Sequence, residues 1–401
     1  MSQNATAYER YYLNRLRGAK METRLFNSPY GELTLFRRPF RPRETLQAWD
    51  AADDYLLHYL SEQDLGANAR ILIVNDSFGS LTTALADYAC TLWADSAISQ
   101  LCSAENAARN DKRPPQFIPA TQVPEGNFDV ILYRLPKSRS LLNYQLQSLA
   151  PLCQAGAVFI GAAMARHIDQ HIVAAFAKNI ATVKPSLARK KARLMHLDGE
   201  ILSGSAQSDT KTITLADHEM VLANRANVFS RDKLDQGSRI LLDSLAKLEP
   251  PQHVADLGCG NGIIGISAAK RWPSAQFHYF DDSFLAIDSA LRNVSHNLSE
   301  AHQAARFTAS DCLFDYKGER FDLILCNPPF HQDHHVGDHI ARQMFRDSFE
   351  HLVIDGVLCV VGNRHLGYHI LLKKLFGNCE TINSDSKFVV LLARKTTPSN
   401  G

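Results

Sequence analysis

Two short segments carry residues whose types and spacing could do chemistry. The first is Asp256-Leu257-Gly258-Cys259-Gly260-Asn261-Gly262. Its acid closes a strand-like apolar run, and three alternating glycines permit positive φ and let a ligand reach the backbone. A helix starting near Gly262 would aim its free N–H groups at a ligand carboxylate. Asp281, with Asp282 beside it, ends the next strand-like run, where an acid accepts from both ribose hydroxyls. Asp311 follows a third run, Arg306–Ala309, where it could accept from an adenine amino group. Together these residues describe a nucleoside pocket at the carboxyl edge of a parallel sheet. Two cofactor classes fit it. Gly260-x-Gly262-x-x-Gly265 matches the dinucleotide fingerprint, and the acid-x-Gly-x-Gly-x-Gly run from Asp256 matches the loop used for S-adenosylmethionine.

The second segment is Asn327-Pro328-Pro329-Phe330, directly after the strand-like Phe321–Cys326. Two consecutive prolines remove two N–H donors and stiffen the turn. The backbone carbonyls near Asn327 and Pro328 are then free to act as acceptors. Asn327 adds a side-chain acceptor, and Phe330 offers a face for stacking. This set suits a planar group bearing an –NH2, its hydrogens held by acceptors and its nitrogen aimed at an electrophilic methyl. A nicotinamide enzyme has no use for such a turn, which favours S-adenosylmethionine. Cys259 reads as a small filler of the loop rather than a nucleophile.

The elements that position these residues occur twice. Arg70–Asn75 pairs with His253–Asp256, Leu92–Asp95 with His278–Asp281, Asn127–Pro136 with Arg320–Pro329, and Ala155–Ile168 with Asp355–Leu366. The offset between partners only grows along the chain, as small insertions would make it. Strand-like runs alternating with amphipathic helical stretches predict an α/β fold with parallel sheets. The copies differ where chemistry would occur. The first has Asn75-Asp76-Ser77-Phe78-Gly79-Ser80 for the glycine loop and Arg134-Leu135-Pro136-Lys137 for the Asn-Pro-Pro turn. The expected organisation is a basic, aromatic N-terminal extension over 1–30, a degenerate copy over 31–197, a linker with a hairpin over 198–230, and a competent copy over 231–396.

Composition sets the frame. The 401 residues are 45% hydrophobic and 21% charged, as in an ordinary globular protein, which excludes a mostly disordered chain, a collagen or a coiled coil. No run approaches the ~18 apolar residues that span a bilayer. The start of the chain lacks the apolar core of a signal peptide, so a cytoplasmic location is expected. The eight cysteines form no C-x-x-C pair, in keeping with a reducing compartment, and no metal is expected. The histidines His331, His334, His335 and His339 read as a substrate loop. Net charge is +1, but residues 1–43 hold nine basic and three acidic side chains, Arg37 and Arg38 among them. They are interleaved with aromatic residues that include Tyr8, Tyr11, Tyr12, Phe26, Phe36 and Phe40. A second basic group, Lys184, Arg189, Lys190, Lys191 and Arg193, ends the first copy. Both are candidates to grip RNA phosphates, with the aromatics stacking on bases.

The loop and the Asn-Pro-Pro-Phe turn resemble the class I S-adenosylmethionine-dependent methyltransferases that modify an exocyclic or amide nitrogen. Phe330 followed by His331-Gln332, and the tandem layout, are similar to the bacterial ribosomal RNA guanine-N2 methyltransferases. Asn227-Val228-Phe229-Ser230 with Leu234-Asp235-x-Gly237-Ser238 is similar to the segment that opens the active domain in those enzymes. Leu46–Asp53, Ile71–Leu81, Lys190–Arg193, Phe376–Cys379 and Lys387–Leu391 resemble more closely the ribosomal RNA large subunit methyltransferase G family.

The resemblance implies two Rossmann-like domains with seven-stranded, mostly parallel sheets, the first inactive. It implies S-adenosylmethionine held by Asp256, Gly258, Cys259, Gly260, Gly262, Asp281, Asp282, Asp311 and Asn327, with S-adenosylhomocysteine as product. Asn327, Pro328, Pro329 and Phe330 would serve catalysis, and a guanine of large-subunit (23S) ribosomal RNA would be methylated at N2. A monomer without membrane contact is expected. The alternatives are a small-subunit (16S) guanine, an adenine N6 or a protein glutamine as target, and a noncatalytic RNA-binding factor.

Overall fold

Ile71–Val74 and Val254–Leu257 are buried on both faces, as strands covered by helices on both sides must be. The structure is a computed structural model that describes residues 24–39, 44–202, 209–299, 304–329 and 337–397. The chain divides into two compact units, Met1–Ser208 and Asp209–Gly401.

The first unit opens with a hairpin, β1 (Leu25–Ser28) and β2 (Gly31–Thr34). It continues through α1 (Ala51–Ser61), β3 (Arg70–Val74), α2 (Ser80–Ala84), β4 (Ala89–Ala94), α3 (Ala97–Arg109) and β5 (Gln116–Pro119). Then come β6 (Val130–Arg134), α4 (Arg139–Gln154), β7 (Val158–Met164), α5 (Gln170–Asn179), β8 (Val183–Pro185) and β9 (Ala192–Leu197).

The second unit repeats the plan: hairpin β10 (Lys211–Leu215) and β11 (Met220–Asn224), then α6 (Gln236–Ser244), β12 (His253–Leu257), α7 (Ile263–Arg271), β13 (Gln276–Asp281), α8 (Phe284–Asn297) and β14 (Arg306–Ala309). It ends with β15 (Phe321–Cys326), α9 (Gly337–His351), β16 (Leu352–Asn363), α10 (Tyr368–Phe376), β17 (Glu380–Ser384) and β18 (Phe388–Arg394).

Each unit holds a seven-stranded sheet, β5-β4-β3-β6-β7-β9-β8 in the first and β14-β13-β12-β15-β16-β18-β17 in the second. The order is the same in both. Within these sheets the described pairings are parallel except those made by β9 and β18, which run against both of their neighbours. The tandem α/β architecture expected from the sequence is present. In the second sheet, side chains alternate between two cores. Leu323 and Leu325 face one with Val254, while Ile324 and Cys326 face the other with Ala255 and Leu257. No helix among the described residues is long and apolar enough to cross a membrane.

Both units tie their hairpin to a helix by the same ladder of amides. On α8, Asn297 accepts from the Val221 N–H at 3.0 Å and donates to the Val221 carbonyl at 2.8 Å. One turn earlier, Asn293 accepts from Ala223 N–H at 2.7 Å and donates to the Asn261 carbonyl at 3.0 Å. In the first unit, Asn110 brackets Thr34 and Asn106 brackets Phe36, and Asn106 also donates to the Phe78 carbonyl. The residues paired are 76 and 70 positions apart in both copies. A side-chain amide carries donor and acceptor together, so it can close both free groups of an edge-strand residue. Because Asn293 also holds the carbonyl of Asn261, the ladder braces the glycine loop.

Replacing Asn293 by alanine strands an N–H and a carbonyl. The expected loss is about 2–6 kcal/mol of stability, at ~1–3 kcal/mol for each of the two unsatisfied groups, read by urea unfolding of the full chain. A loss below about 0.5 kcal/mol would mean that water replaces the amide.

Candidate active site

Parallel register brings the two chemical segments together. Leu257 at the end of β12 pairs with Phe280 on one side and Cys326 on the other, and Asp281 pairs with Ala309. The loops after β12, β13, β14 and β15 therefore share one sheet edge. β12 is the strand from which chain order departs in both directions, and ligands of open α/β sheets bind beside such a strand.

The glycine loop is held from below by the neighbouring strand. The N–H groups of Gly258 and Cys259 both donate to the Phe280 carbonyl, at 2.8 and 2.9 Å. Gly260 N–H donates to Asp281 Oδ2 at 2.9 Å, and Ser283 N–H donates to Asp281 Oδ1 at 2.9 Å. Asp281 thus pins the loop, while Ser283 caps α8. Gly258, Gly260 and Gly262 all have positive φ, at 75°, 55° and 81°. A side chain at Gly260 would meet nothing within 4 Å, so the loop's crest is open to an incoming group. Cys259 is buried, and burial pushes its thiol well above the usual range, which leaves it packing rather than reacting.

Asp256 lies under this loop. Its Oδ2 accepts from the Gly265 N–H at 2.8 Å, whereas its Oδ1 is buried with no partner among the described residues. Burial pushes its carboxyl up to about 7, the Gly265 bond opposing and Asp281 adding to the rise. A buried carboxylate oxygen without a donor beside an open glycine loop suits a cationic ligand, as the sulfonium and ammonium of S-adenosylmethionine would be. Asp311, after β14, is also buried and accepts from Gln343 on α9 at 2.7 Å.

Asn327 ends β15. Its Nδ2 donates to Ser238 Oγ at 3.0 Å and to Asp235 Oδ2 at 3.4 Å, and its Oδ1 is buried without a partner among the described residues. Pro328 is buried and Pro329 half-buried. Phe330, His331, His334 and His335 lie outside the described residues, and His339 lies on α9. Sequence reasoning assigned no role to Gln343, Asp235 or Ser238. Their contacts reach across 32 to 92 residues, beyond the range of any local pattern. Among the described residues, no group of three metal-ligating side chains comes together.

Two family models together match most of the chain. The RLMG N-terminal domain model matches residues 23–200, and the methyltransferase small domain model matches residues 219–392. Ribosomal RNA large subunit methyltransferase G of Pseudomonas putida (strain W619) is 41% identical over 374 residues, 92% of this chain and 100% of that protein. The protein of the same name from Vibrio vulnificus (strain YJ016) is 39% identical over 379 residues, 94% of this chain and 100% of that one. The chain belongs to the ribosomal RNA large subunit methyltransferase G family. A T. thermophilus 16S rRNA N2 G1207 methyltransferase, solved with AdoMet and guanosine, shares the fold. It has a TM-score of 0.74 at 22% identity, covering 94% of this chain and 99% of that one.

In this member of the methyltransferase G family, neither open acceptor has a counterpart at the matching described positions of the first unit. The Asp76 carboxylate is fully used inside its own turn, by the N–H groups of Gly79, Ser80 and Thr82 and by the Thr82 hydroxyl. A side chain at Gly79 would meet the Ser103 backbone at 2.6 Å, so α3 closes over that loop. Arg134 stands where Asn327 does, ion-paired to Asp50 and Asp53.

The basic residues proposed for RNA divide in two. Lys184, Lys190 and Lys191 are exposed and Arg189 is half-buried, on or beside the β8–β9 turn. Lys190 reaches Asp54 at 2.9 Å. Arg193 is partly buried and donates to the Ser186 carbonyl. Arg37 lies over Phe78 at 4.5 Å. Arg38 is a correction to the sequence reading: its side chain is only 3% exposed and is ion-paired with Glu105, so it cannot grip a phosphate. The N-terminal aromatics are likewise committed where they are described. Phe26 stacks on Trp49 in the core, and Phe36 lies against Arg24 and Arg109. Tyr8, Tyr11, Tyr12 and Phe40 lie outside the described residues.

Asp256 gives a pH-dependent prediction. Its folded value of about 7 lies above the ~3.9 of an unfolded aspartate, so the ligand-free folded chain keeps a proton that the unfolded chain has lost. Its contribution to stability therefore falls as pH rises between those values. Asp256→Asn is expected to raise the Tm by a few degrees at pH 8, less at pH 5, and to abolish cofactor binding. Equal shifts at both pH values, by scanning calorimetry, would contradict this.

Proposed function

We propose that the second unit transfers a methyl group from S-adenosylmethionine to the exocyclic N2 of a guanine in large-subunit ribosomal RNA. The observation that carries the reading is the pair of buried acceptors, Asp256 Oδ1 and Asn327 Oδ1, at one sheet edge beside an open glycine loop. The names of the relatives support the RNA class and subunit, and that of the T. thermophilus enzyme supports guanine N2.

S-adenosylmethionine, when bound, supplies a methyl already activated on a sulfonium. The glycine loop and Asp256 would hold its charged end, Asp281 and Asp282 its ribose, and Asp311 its adenine. The chain's task is then alignment and charge stabilisation. The guanine amine is a poor nucleophile because its lone pair is delocalised into the ring. Accepting its hydrogens on Asn327 Oδ1 and the Pro328 carbonyl localises that pair and stabilises the positive charge that develops on nitrogen. The base must leave its stack to reach this edge, with Phe330 as its stacking partner. The first unit, with Lys184 and Lys191 exposed and Arg189 beside them, would hold the RNA while the second acts. The protein would act as a monomer alongside cytoplasmic ribosomal RNA.

The test is nucleoside mass spectrometry after incubation with S-adenosylmethionine and unmodified large- or small-subunit RNA, naked and as particles. N2-methylguanosine in large-subunit RNA alone is expected. The same product only in small-subunit RNA would move the target, and methyladenosine would overturn the chemistry. Asn327→Ala is expected to lower turnover by about a hundredfold or more, with cofactor affinity kept. Charge reversal at Lys184 and Lys191 should weaken RNA binding and flatten its salt dependence.

A further inference from the structure

We propose that Asp235 and Ser238 are positioning residues that lock the Asn327 amide with its oxygen turned to the substrate. The inference rests on the reading of Asn327 as the acceptor for the reacting amine. Asp235 caps α6, its carboxylate accepting from the Gly237 N–H at 2.8 Å and from the Ser238 N–H at 3.2 Å. A carboxylate can only accept. Of the two ends of the Asn327 amide, only the NH2 can therefore face it. Nδ2 sits between Asp235 Oδ2 at 3.4 Å and Ser238 Oγ at 3.0 Å. Ser238 is buried, so water does not compete for that contact. With the NH2 held, Oδ1 is left buried and without a partner among the described residues. An unheld amide would turn over to satisfy its oxygen, and would then present donors to a donor.

The first unit holds the same device with a different occupant. Asp50 caps α1, and Asp53 stands at the third helical position, as Ser238 does in α6. The residue at the matching strand end, Arg134, reaches Asp50 at 2.8 Å and Asp53 at 3.0 Å. The third helical position is an acid where the occupant is a guanidinium and a hydroxyl where it is a neutral amide. Two copies of one clamp, each matched to its occupant, make the contact at Asn327 a built feature of the repeat.

The test exploits polarity in the full chain, with kcat, KM and Tm measured for each variant. Asp235→Asn keeps a good cap but sets an NH2 against the Asn327 NH2, which forces the amide over. A fall in kcat of about tenfold or more is expected, with KM for S-adenosylmethionine within about twofold. Asn327→Asp alone puts two carboxylates together and should be nearly inactive. The double variant D235N/N327D restores a donor facing an acceptor and leaves a carboxylate oxygen toward the substrate. Its kcat should exceed that of N327D by about tenfold. Ser238→Ala should lower kcat and Ser238→Thr should restore it, which carries the test if the Asp235 variants fail to fold. Wild-type kcat in D235N, or no recovery in the double variant, would overturn the clamp while leaving the function of Asn327 intact. Wild-type turnover in Asn327→Ala would instead overturn the reading on which the clamp rests.

Discussion

A buried acceptor without a donor is held only where the surrounding fold fixes the rest of its group. Asp256 Oδ1 and Asn327 Oδ1 are two such atoms at one sheet edge, and the second unit is organised around keeping them so. Asp256 is fixed by Gly265, whose lack of a side chain lets Tyr279 and the carboxylate pack against it; a Cβ there would lie 2.3 Å from the Tyr279 ring. Asn327 is fixed by the cap of α6. The loop between them is tied to β13 by two bonds to one carbonyl and to α8 through Asn293. Each tie acts on backbone or on the far end of a side chain, so the reactive oxygens stay open.

The two units show what happens when the same frame is relieved of that demand. Strand order, hairpin, amide ladder and helix cap recur. In the first unit, Asp76 is satisfied by its own turn, and Arg134 forms ion pairs with Asp50 and Asp53. The turn between β8 and β9 instead presents lysines outward, with Lys190 and Lys191 at positive φ.

Much of this was legible in the sequence because it is local. The Asp-x-Gly-x-Gly-x-Gly loop, the Asn-Pro-Pro turn, and the runs Arg306–Ala309 and Phe321–Cys326 are strand ends and turns set by neighbouring residues. The duplication was legible because each strand has a partner in order. What was not legible depends on contacts distant in the chain. Asn293 and Asn297 read as ordinary polar helix residues until β11 is laid beside them. Gln343 has meaning only once α9 crosses Asp311. Arg38 looked like a surface cation because neither its burial nor Glu105 is visible in its own segment. Asp235 was visible only as part of a family resemblance, and its contact with Asn327, 92 residues away, was not.

The central claim is that the orientation of one amide, set from behind by a helix cap, makes this edge an acceptor for an –NH2. The most direct measurement is a crystal structure of the full chain with S-adenosylhomocysteine and guanosine. The account predicts the guanine amino group within hydrogen-bond distance of Asn327 Oδ1, with Nδ2 still on Ser238. A guanine bound away from Asn327, or an Asn327 whose Nδ2 has left Ser238 to face the base, would contradict it.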